Sequence, residues 1–328
     1  MVKYKRAFAF IISLILASSP CTAFAGTLRP AQPVYLSDTE TQPEESESTT
    51  EPSEEDLAAE QELLAEQELL AWKEEVLADP LGVLVTCENT MIQMPVYPRG
   101  IEGTTYVPLR NFFEAMGCTV SWDQKRLSAT VTRGTELEAV FKMNDRLARA
   151  NGRCWYMDQP CRNVAGSLMI PIRAAAKIFQ ADVTWDGAQR TAHLTHLSLL
   201  EPGSTFYNET DLLWLARIIR YEAGNQPLDG KVAVANVILN RVASASFPNS
   251  IHDVIFDTND GIQFVKPGNE LILREPNEQC WLAAKLALDG YVTAPKCLYF
   301  APNYRASSCW AAKRRPYFGV IGDHTFFQ

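Results

Sequence analysis

The chain has 328 residues, 39 of them acidic and 30 basic, for a formal net charge of −9 at pH 7. The acidity is concentrated in one segment. Residues 27–80 hold 16 acidic and two basic side chains, whereas residues 81–328 hold 23 acidic and 25 basic ones. A near-neutral folded part has no basic field that would attract a polyanion, which argues against nucleic acid as a partner.

The first 25 residues have the layout of a secretory signal peptide. Lys3, Lys5 and Arg6 precede an apolar run over residues 7–17, and small residues follow it. This order predicts a signal peptide over 1–25 with cleavage before Gly26. The run is too short to span a membrane comfortably, and no other stretch is long and apolar enough to do so. We therefore predict an exported protein without a stable membrane span after cleavage.

Residues 26–80 read as an acidic spacer with a disordered and a helical part. Residues 39–55 are rich in Ser, Thr, Pro and Glu and have almost nothing to bury, which predicts disorder. The hexapeptide EQELLA then occurs twice within Asp56–Leu77, and its strong helix formers predict one amphipathic helix with leucines at 63, 64, 69 and 70. A six-residue period does not match the seven-residue period of a coiled coil, so we expect a helical spacer rather than a dimerisation device.

Residues 81–198 contain an internal repeat. The stretch Thr104–Asp123 recurs 63 residues later as Ser167–Asp186. Each copy predicts a strand, a helix led by proline, and a strand that ends in Trp-Asp. Trp122 and Trp185 occupy equivalent positions, which favours packing in the core, with stacking on sugars as the alternative.

This repeat pattern resembles the copper amine oxidase N-terminal, or stalk, domain of secreted bacterial proteins. The resemblance implies a β-rich α+β domain without copper chemistry. Its implied role is positional, with weak contacts to wall glycan or to a protein partner.

The eight cysteines suit an exported chain, and loss of Cys21 with the signal leaves seven. Turn-like spacing suggests three disulfides, with free thiols as the alternative: Cys154–Cys161, Cys297–Cys309 and Cys87–Cys118, which would leave Cys280 alone. No CxxC pair is present, and His193 and His196 have no third ligand nearby in the sequence. We therefore predict no metal site and no cofactor.

The segment 206–328 begins with a helical pattern that carries a carboxylate. Leu212, Leu215 and Ile219 recur at helical spacing, and Glu222 follows on the same face before Gly224 ends the helix. A carboxyl group that faces an apolar surface tends to keep its proton, as the general acid of a glycosidase must. The alternative is a solvated glutamate at a fraying helix end.

The stretch Ala216–Arg241 and the motifs that follow it in order resemble the SleB/CwlJ family of cell-wall hydrolases, known for spore cortex lysis. These motifs are Gln263-Phe264, AAKLALDG (283–290), CLYFAPN (297–303), Trp310 and IGDHTFF (321–327). The resemblance implies a lysozyme-like α+β domain that cleaves the MurNAc–GlcNAc β-1,4 bond of peptidoglycan as a lytic transglycosylase. It implies Glu222 as the catalytic residue.

The same resemblance suggests the residues that bind the glycan strand. Tyr221 adjoins the glutamate, and the others lie in the later motifs, the last three in a predicted β-hairpin: Gln263, Phe264, Tyr299, Asn303 and Trp310. A hydrolase would need a second carboxylate, for which Asp257 and Asp260 are the candidates. His324 is interpreted as structural.

Taken together, the sequence predicts a secreted α+β enzyme of the cell wall or spore envelope that acts on peptidoglycan glycan strands. Two alternatives stay open, an N-acetylmuramoyl-L-alanine amidase and a non-catalytic wall or spore-coat binding protein.

Overall fold

The computed structural model describes residues 53–259 and 261–328. The predicted signal peptide, residues 26–52 of the spacer and Asp260 lie outside this range. None of the helices in the described part combines the length and the apolar character needed to cross a bilayer.

The helix predicted in the spacer is present as α1, Glu54–Ala78. Its leucines are not buried as an amphipathic helix would require, since Leu63, Leu64 and Leu70 are all more than half exposed. Only Val76 in its last turns is fully buried. Trp72 donates its indole N–H to the carbonyl of Met94 at 3.2 Å, so the C-terminal end of α1 is the part attached to the repeat region.

The repeat region consists of strands with two short helices. In chain order its elements are β1 (Leu84–Cys87), β2 (Thr90–Met91), β3 (Arg99–Ile101), β4 (Thr104–Pro108), α2 (Leu109–Ala115), β5 (Thr119–Asp123), β6 (Ser128–Arg133), β7 (Leu137–Lys142), β8 (Leu147–Ala150), β9 (Arg153–Tyr156), β10 (Arg162–Val164), β11 (Ser167–Pro171), α3 (Ile172–Ile178), β12 (Asp182–Asp186) and β13 (Thr191–Thr195). Three sheets form, in the orders β12-β13-β1-β2, β10-β11-β4-β3 and β5-β6-β7-β8-β9.

The predicted strand–helix–strand repeat is confirmed as β4-α2-β5 and β11-α3-β12. Strands β4 and β11 pair antiparallel, with Val107 opposite Ile170, so the two copies lie side by side in one sheet. Proline precedes each helix in extended backbone conformation. Phe112 and Ile178 are fully buried, and both copies contribute to one apolar core.

The prediction that Trp122 and Trp185 pack in the core is wrong. Their exposed fractions are 36% and 53%. Each tryptophan lies at the end of its strand, beyond the core-facing Val120 or its counterpart Val183. The next residue, Asp123 or Asp186, already accepts the backbone hydrogen bonds of a turn, which places both indoles at the rim of the sheet.

All seven described cysteines are free thiols, so the three predicted disulfides are wrong. No hairpin joins Cys154 to Cys161, because Cys161 forms a bridge with Met143 instead. The two thiols consequently lie in different cores. Cys297 is buried beside the last strand of the chain. Cys309 instead begins a helix, where its sulfur accepts a hydrogen bond from the amide of Ala312 at 3.4 Å.

The C-terminal region packs helices against a small sheet. Its elements are α4 (Gly203–Phe206), α5 (Glu209–Ala223), α6 (Leu228–Val242), α7 (Ile251–Ile255), a 3₁₀ turn (Glu270–Leu273), α8 (Glu278–Leu288), β14 (Tyr299–Pro302), α9 (Asn303–Ala306), α10 (Trp310–Arg314), β15 (Tyr317–Ile321) and β16 (His324–Phe327). Helices α5, α6 and α8 contact one another around a shared apolar core. With the strand-rich repeat region, this arrangement confirms the α+β prediction.

The β-hairpin predicted around LYFAPN is wrong. Strand β14 pairs with β16 at the C-terminal end of the chain, and β16 is the central strand in the order β14-β16-β15. Two short helices, α9 and α10, follow β14 directly. The sheet lies against α6.

The repeat region and the helical region share buried contacts. Leu147 and Cys154 from strands β8 and β9 enter the apolar core of the helical region. Arg153 contacts Asp289 at 2.5 Å, and the side chains of this ion pair are 9% and 0% exposed. Tyr207 donates its hydroxyl hydrogen to the same carboxylate. The two regions are therefore joined by buried groups rather than by a linker alone.

Candidate active site

Glu222 lies in the last turn of α5, where the neighbouring Ile218, Ile219 and Ala223 are fully buried. Its side chain is partly buried, and this burial raises the pKa of the carboxyl from its ordinary value of 4.5 to about 7. Desolvation is the cause, because an apolar surrounding disfavours the ionised form. Near neutral pH a large fraction of the molecules therefore carries a protonated Glu222, as the sequence predicts.

Helix α5 ends at Ala223, directly after Glu222, and the backbone that follows leaves room only for glycine. A β-carbon at Gly224 would lie 2.6 Å from the carbonyl oxygen of Arg220, well inside contact distance. Pro227 then precedes the first residue of α6. The glutamate consequently sits beside a sharp turn between two buried helices.

The turn after Glu222 is held by the C-terminal motif IGDHTFF. Gln226 is buried, donates to the carboxylate of Asp323 at 3.1 Å and accepts from the Asp323 amide at 2.8 Å. A β-carbon at Gly322 would approach the Gln226 side-chain oxygen to 2.4 Å, so the approach requires glycine there too. His324 is buried against the ring of Phe300 at 5.1 Å, and burial lowers the pKa of its imidazole. These contacts agree with the structural role predicted for His324.

Asn303 reinforces the same turn. Its amide nitrogen donates to the carbonyl of Gly322 at 3.1 Å, and its side-chain oxygen accepts from Thr325 at 2.8 Å. Its backbone N–H donates to the carbonyl of Asp323 at 2.9 Å. The side chain is thus engaged by the protein. The substrate contact predicted for Asn303 stays a prediction.

Three of the predicted binding residues meet around Arg241, which the sequence reasoning missed. The buried guanidinium lies 4.7 Å from the ring centre of Phe264 and 5.2 Å from that of Tyr299. It donates to the side chain of Gln263 at 3.2 Å and to the carbonyl of Leu298 at 2.7 Å. Burial lowers the pKa of Arg241 to about 10, so the side chain remains a cation at neutral pH.

An aromatic surface continues from Tyr299 to Trp310. The two rings are 5.5 Å apart, and Arg315 lies 5.0 Å from the first and 5.4 Å from the second. Arg315 also donates to the Tyr299 hydroxyl at 3.1 Å. Trp310 is 56% exposed, so an indole face is available to a ligand at this position.

Tyr221 positions a loop beside the glutamate. Its hydroxyl accepts a hydrogen bond from the Asn269 amide at 3.1 Å. Asn269 also caps the 3₁₀ turn through the amide of Leu271. The residue before Glu222 therefore ties the loop that follows Phe264 to helix α5.

The residues described above form two groups, one that includes Gln226 before the first turn of α6 and one around Arg241 in its last turn. Arg241 lies about 20 Å further along the helix than Gln226, at about 1.5 Å per residue, whereas Glu222 belongs to the preceding helix α5. Asp257 belongs to the second group, since its charge acts on Arg241 and its carbonyl accepts from the Gln263 amide at 3.4 Å. The last residues of the chain link the groups, because Asp323 bonds to Gln226 and Phe327 at the end of β16 pairs with Tyr299.

A sequence signal for Arg241 does exist. The otherwise apolar helix α6 carries buried polar side chains at residues 231, 236 and 241. A buried cation in an apolar helix needs specific partners, so its environment is seldom incidental. Within the part of the chain that the structure describes, no three His, Cys, Asp or Glu side chains are grouped so as to hold a metal ion.

Two known families match separate parts of the chain. Residues 86–194 match the family described as Copper amine oxidase N-terminal domain, and residues 225–327 match the family described as Cell Wall Hydrolase. Residues 225–327 are therefore similar to a cell wall hydrolase domain. Both predicted resemblances are confirmed. Glu222 lies three residues before the matched range, so its role is argued from its surroundings in the structure.

Similar proteins include two named spore cortex-lytic enzyme. That of Bacillus cereus is 37% identical over 120 residues, which cover 37% of this chain and 45% of the relative. That of Bacillus subtilis is 35% identical over 122 residues, which cover 37% of this chain and 39% of the relative. The chain thus spans less than half the length of these relatives.

Two solved catalytic domains are also similar to the cell wall hydrolase domain. That of the Bacillus cereus SleB protein is 36% identical, with coverage of 37% of this chain and 92% of that chain, at a TM-score of 0.34. That of SleB from Bacillus anthracis is 34% identical, with coverage of 39% and 100%, also at a TM-score of 0.34.

Proposed function

We propose that this protein degrades peptidoglycan by cleaving the MurNAc–GlcNAc β-1,4 bond, as a lytic transglycosylase that uses Glu222 as its one catalytic carboxyl group. The cell wall hydrolase domain and the spore cortex-lytic relatives support peptidoglycan as the substrate. The observation that carries the proposal is the raised pKa of Glu222, about 7, at the end of a buried helix.

In the first step, the protonated Glu222 donates its proton to the glycosidic oxygen as the bond to the muramoyl C1 breaks. Positive charge develops at C1 and the ring oxygen, and the GlcNAc leaves as an alcohol. The ionised Glu222 then accepts the proton of the muramoyl C6 hydroxyl, whose oxygen bonds to C1. The product is a 1,6-anhydro sugar, and Glu222 is protonated again for the next cycle.

The position of Asp257 favours this one-carboxylate route. Glycosidases that activate water use paired carboxyl groups about 5–10 Å apart. Asp257 acts on Arg241 in the last turn of α6, and no contact between Asp257 and Glu222 is found among the described residues. A mechanism in which the C6 hydroxyl replaces water requires no such partner.

The second group of residues is suited to binding the strand away from the scissile bond. Tyr299 and Trp310 offer aromatic faces to pyranose rings, and Gln263 offers an amide to their hydroxyl or acetamido groups. Phe264 packs behind them against Arg241. We assign Tyr221 and Asn303 to holding the loop and turn that flank Glu222, where a bound strand would contact them.

The proposal extends to the location and organisation of the chain. We infer export through the signal peptide 1–25 and action at the cell wall or spore envelope. The spacer 26–80 and the stalk-like domain 81–198 then place the catalytic domain 206–328 on its substrate.

Mass spectrometry of the soluble products tests this function. The full mature chain, its Glu222→Gln variant and a Glu209→Gln control are incubated with purified vegetative and cortex peptidoglycan. Glu209 is the matched control because it is an exposed glutamate in the first turn of the same helix. We expect anhydro-muropeptides from the wild type and from the control, and none from Glu222→Gln.

The other product classes would contradict specific parts of the proposal. Reducing-end saccharides would identify a hydrolase and return Asp257 and Asp260 to consideration. Free stem peptides would identify an amidase. Intact strands from both substrates would contradict enzymatic function altogether.

A further inference from the structure

The repeat region contains an open cleft of about 470 Å³ that the proposed catalysis does not use. Strands β3, β4 and β12 and the start of α3 form its walls. Its volume lies within the range of about 300–1,000 Å³ typical of small-ligand sites. The cleft is lined by one aromatic ring and by several polar side chains, among them Thr104, Thr105, Asp158, Arg173, Thr184 and Trp185.

Comparison of the two repeat copies shows that Arg173 lacks the partners of its counterpart. In the first copy, Arg110 donates to Glu114 at 3.0 Å and to the carbonyl of Val120 at 2.8 Å. In the second copy the position equivalent to Glu114 holds Lys177, which lies 3.6 Å from Asp289 across the interface with the helical region. Arg173 is exposed and has no hydrogen bond or ion pair with any described residue.

Trp185 likewise lacks the hydrogen-bond partner of its counterpart Trp122. The indole N–H of Trp122 donates to Gln124 at 2.9 Å. The position equivalent to Gln124 holds Gly187, which has no side chain to accept the bond. The Trp185 indole is 53% exposed, and its N–H has no acceptor among the described residues. Two substitutions between the copies thus leave a cation and an indole available in one cleft.

We propose that this cleft binds a peptidoglycan glycan strand, with a pyranose face stacked on Trp185 and a carboxylate of the stem peptide bound by Arg173. An indole face packs on the apolar face of a sugar ring, and a guanidinium forms paired hydrogen bonds with a carboxylate. Thr104, Thr105 and Asp158 provide further hydrogen-bonding groups for hydroxyls. The choice of strand rests on the proposed function.

The interface between the repeat region and the helical region would allow a strand bound in the cleft to assist catalysis. Because Arg153 and Asp289 form a buried ion pair, the repeat region is fixed on the helical region rather than tethered to it. A strand held in the cleft therefore stays at high local concentration beside the catalytic domain. When the cleft and the catalytic domain bind the same strand, the overall affinity exceeds that of either site alone, and no new contact at the scissile bond is needed.

Binding to a chain that cannot cleave its ligand tests this inference. The full mature chain carrying Glu222→Gln is titrated by calorimetry with a disaccharide-tetrapeptide muropeptide and with neutral chitotetraose. Trp185→Ala should weaken binding of both ligands by about tenfold, since a stacked ring contributes on that order. Arg173→Gln should weaken binding of the muropeptide by about tenfold and leave chitotetraose unchanged.

The first repeat copy supplies the matched controls. Trp122→Ala and Arg110→Gln change the equivalent residues outside the cleft and should leave both affinities unchanged. A cooperative thermal unfolding transition verifies that each variant is folded. The inference is overturned if the Glu222→Gln chain binds neither ligand, or if the control variants change the affinities as much as the Trp185 and Arg173 variants do. If the wild-type chain yields no glycan products while Trp185→Ala and Arg173→Gln weaken binding as expected, the proposed catalysis fails and the cleft assignment stands.

Discussion

The stability of this protein should depend on pH through Glu222. Burial holds the pKa of its carboxyl at about 7 in the folded chain, against 4.5 ordinarily. Below pH 4.5 both folded and unfolded chains are protonated, and the group has no effect on stability. Between the two values the unfolded chain loses the proton that the folded chain keeps, so the free energy of unfolding falls as pH rises. Above pH 7 the full loss is present.

The size of this effect follows from the difference between the two pKa values. A difference of about 2.5 corresponds to about 3 kcal/mol. Water still reaches part of the carboxyl and reduces the penalty, so we expect on the order of 1–3 kcal/mol. Glu222→Gln replaces the carboxyl with a neutral group of nearly the same shape. The variant should therefore be more stable than the wild type above neutral pH by this amount, and equally stable at about pH 4.

Urea unfolding at several pH values measures the difference, with Glu209→Gln as the control on the same helix. The advantage of Glu222→Gln should grow between about pH 4.5 and pH 7 and then remain constant. The reasoning is refuted if the advantage is independent of pH or if the variant is the less stable protein at alkaline pH. The same pKa predicts that the cleavage rate of the wild type falls as pH rises through about 7, because the acid loses its proton.

Three further outcomes are expected. Arg241→Lys keeps the charge but loses the planar donors to Gln263 and Leu298, so KM for soluble glycan fragments should rise by about tenfold with a smaller change in kcat, measured by steady-state kinetics. Asp289→Asn leaves the buried Arg153 without its anion and should lower the free energy of unfolding by about 3–5 kcal/mol in urea titrations; an unchanged midpoint would contradict the buried pair. Thiol titration of the denatured mature chain without reductant should detect seven free cysteines, whereas any disulfide would lower that number by two.

The features that the sequence predicts correctly are carried by local signals. The leucine and isoleucine spacing before Glu222 and the glycine after it are sufficient to define the end of α5. The repeat can be recognised in the sequence because the proline and the Trp-Asp pair are separated by the same number of residues in both copies. Burial of the Glu222 carboxyl also follows from its position on the apolar helix face.

The features that the sequence does not predict depend on contacts between distant segments. Strand β14 was interpreted as half of a hairpin, but its partner β16 lies more than 20 residues away. The cysteine pairs failed for a related reason, because turn-like spacing does not reveal that Cys154 faces the core of another region. Arg241 was missed because its partners come from two later segments, Gln263 from a loop and Tyr299 from strand β14.

The buried contacts between the two regions change how the stalk-like domain is best understood. A tethered positional domain would have a polar, solvated surface towards its neighbour. Here Leu147 and Cys154 are instead part of the apolar core that contains helix α5, whose last turn carries Glu222. Removing them would leave a cavity in that core, and removing Arg153 would leave the carboxylate of Asp289 buried without a cation. The repeat region is therefore part of the apolar core on which helix α5 packs, and its removal should destabilise the helical region.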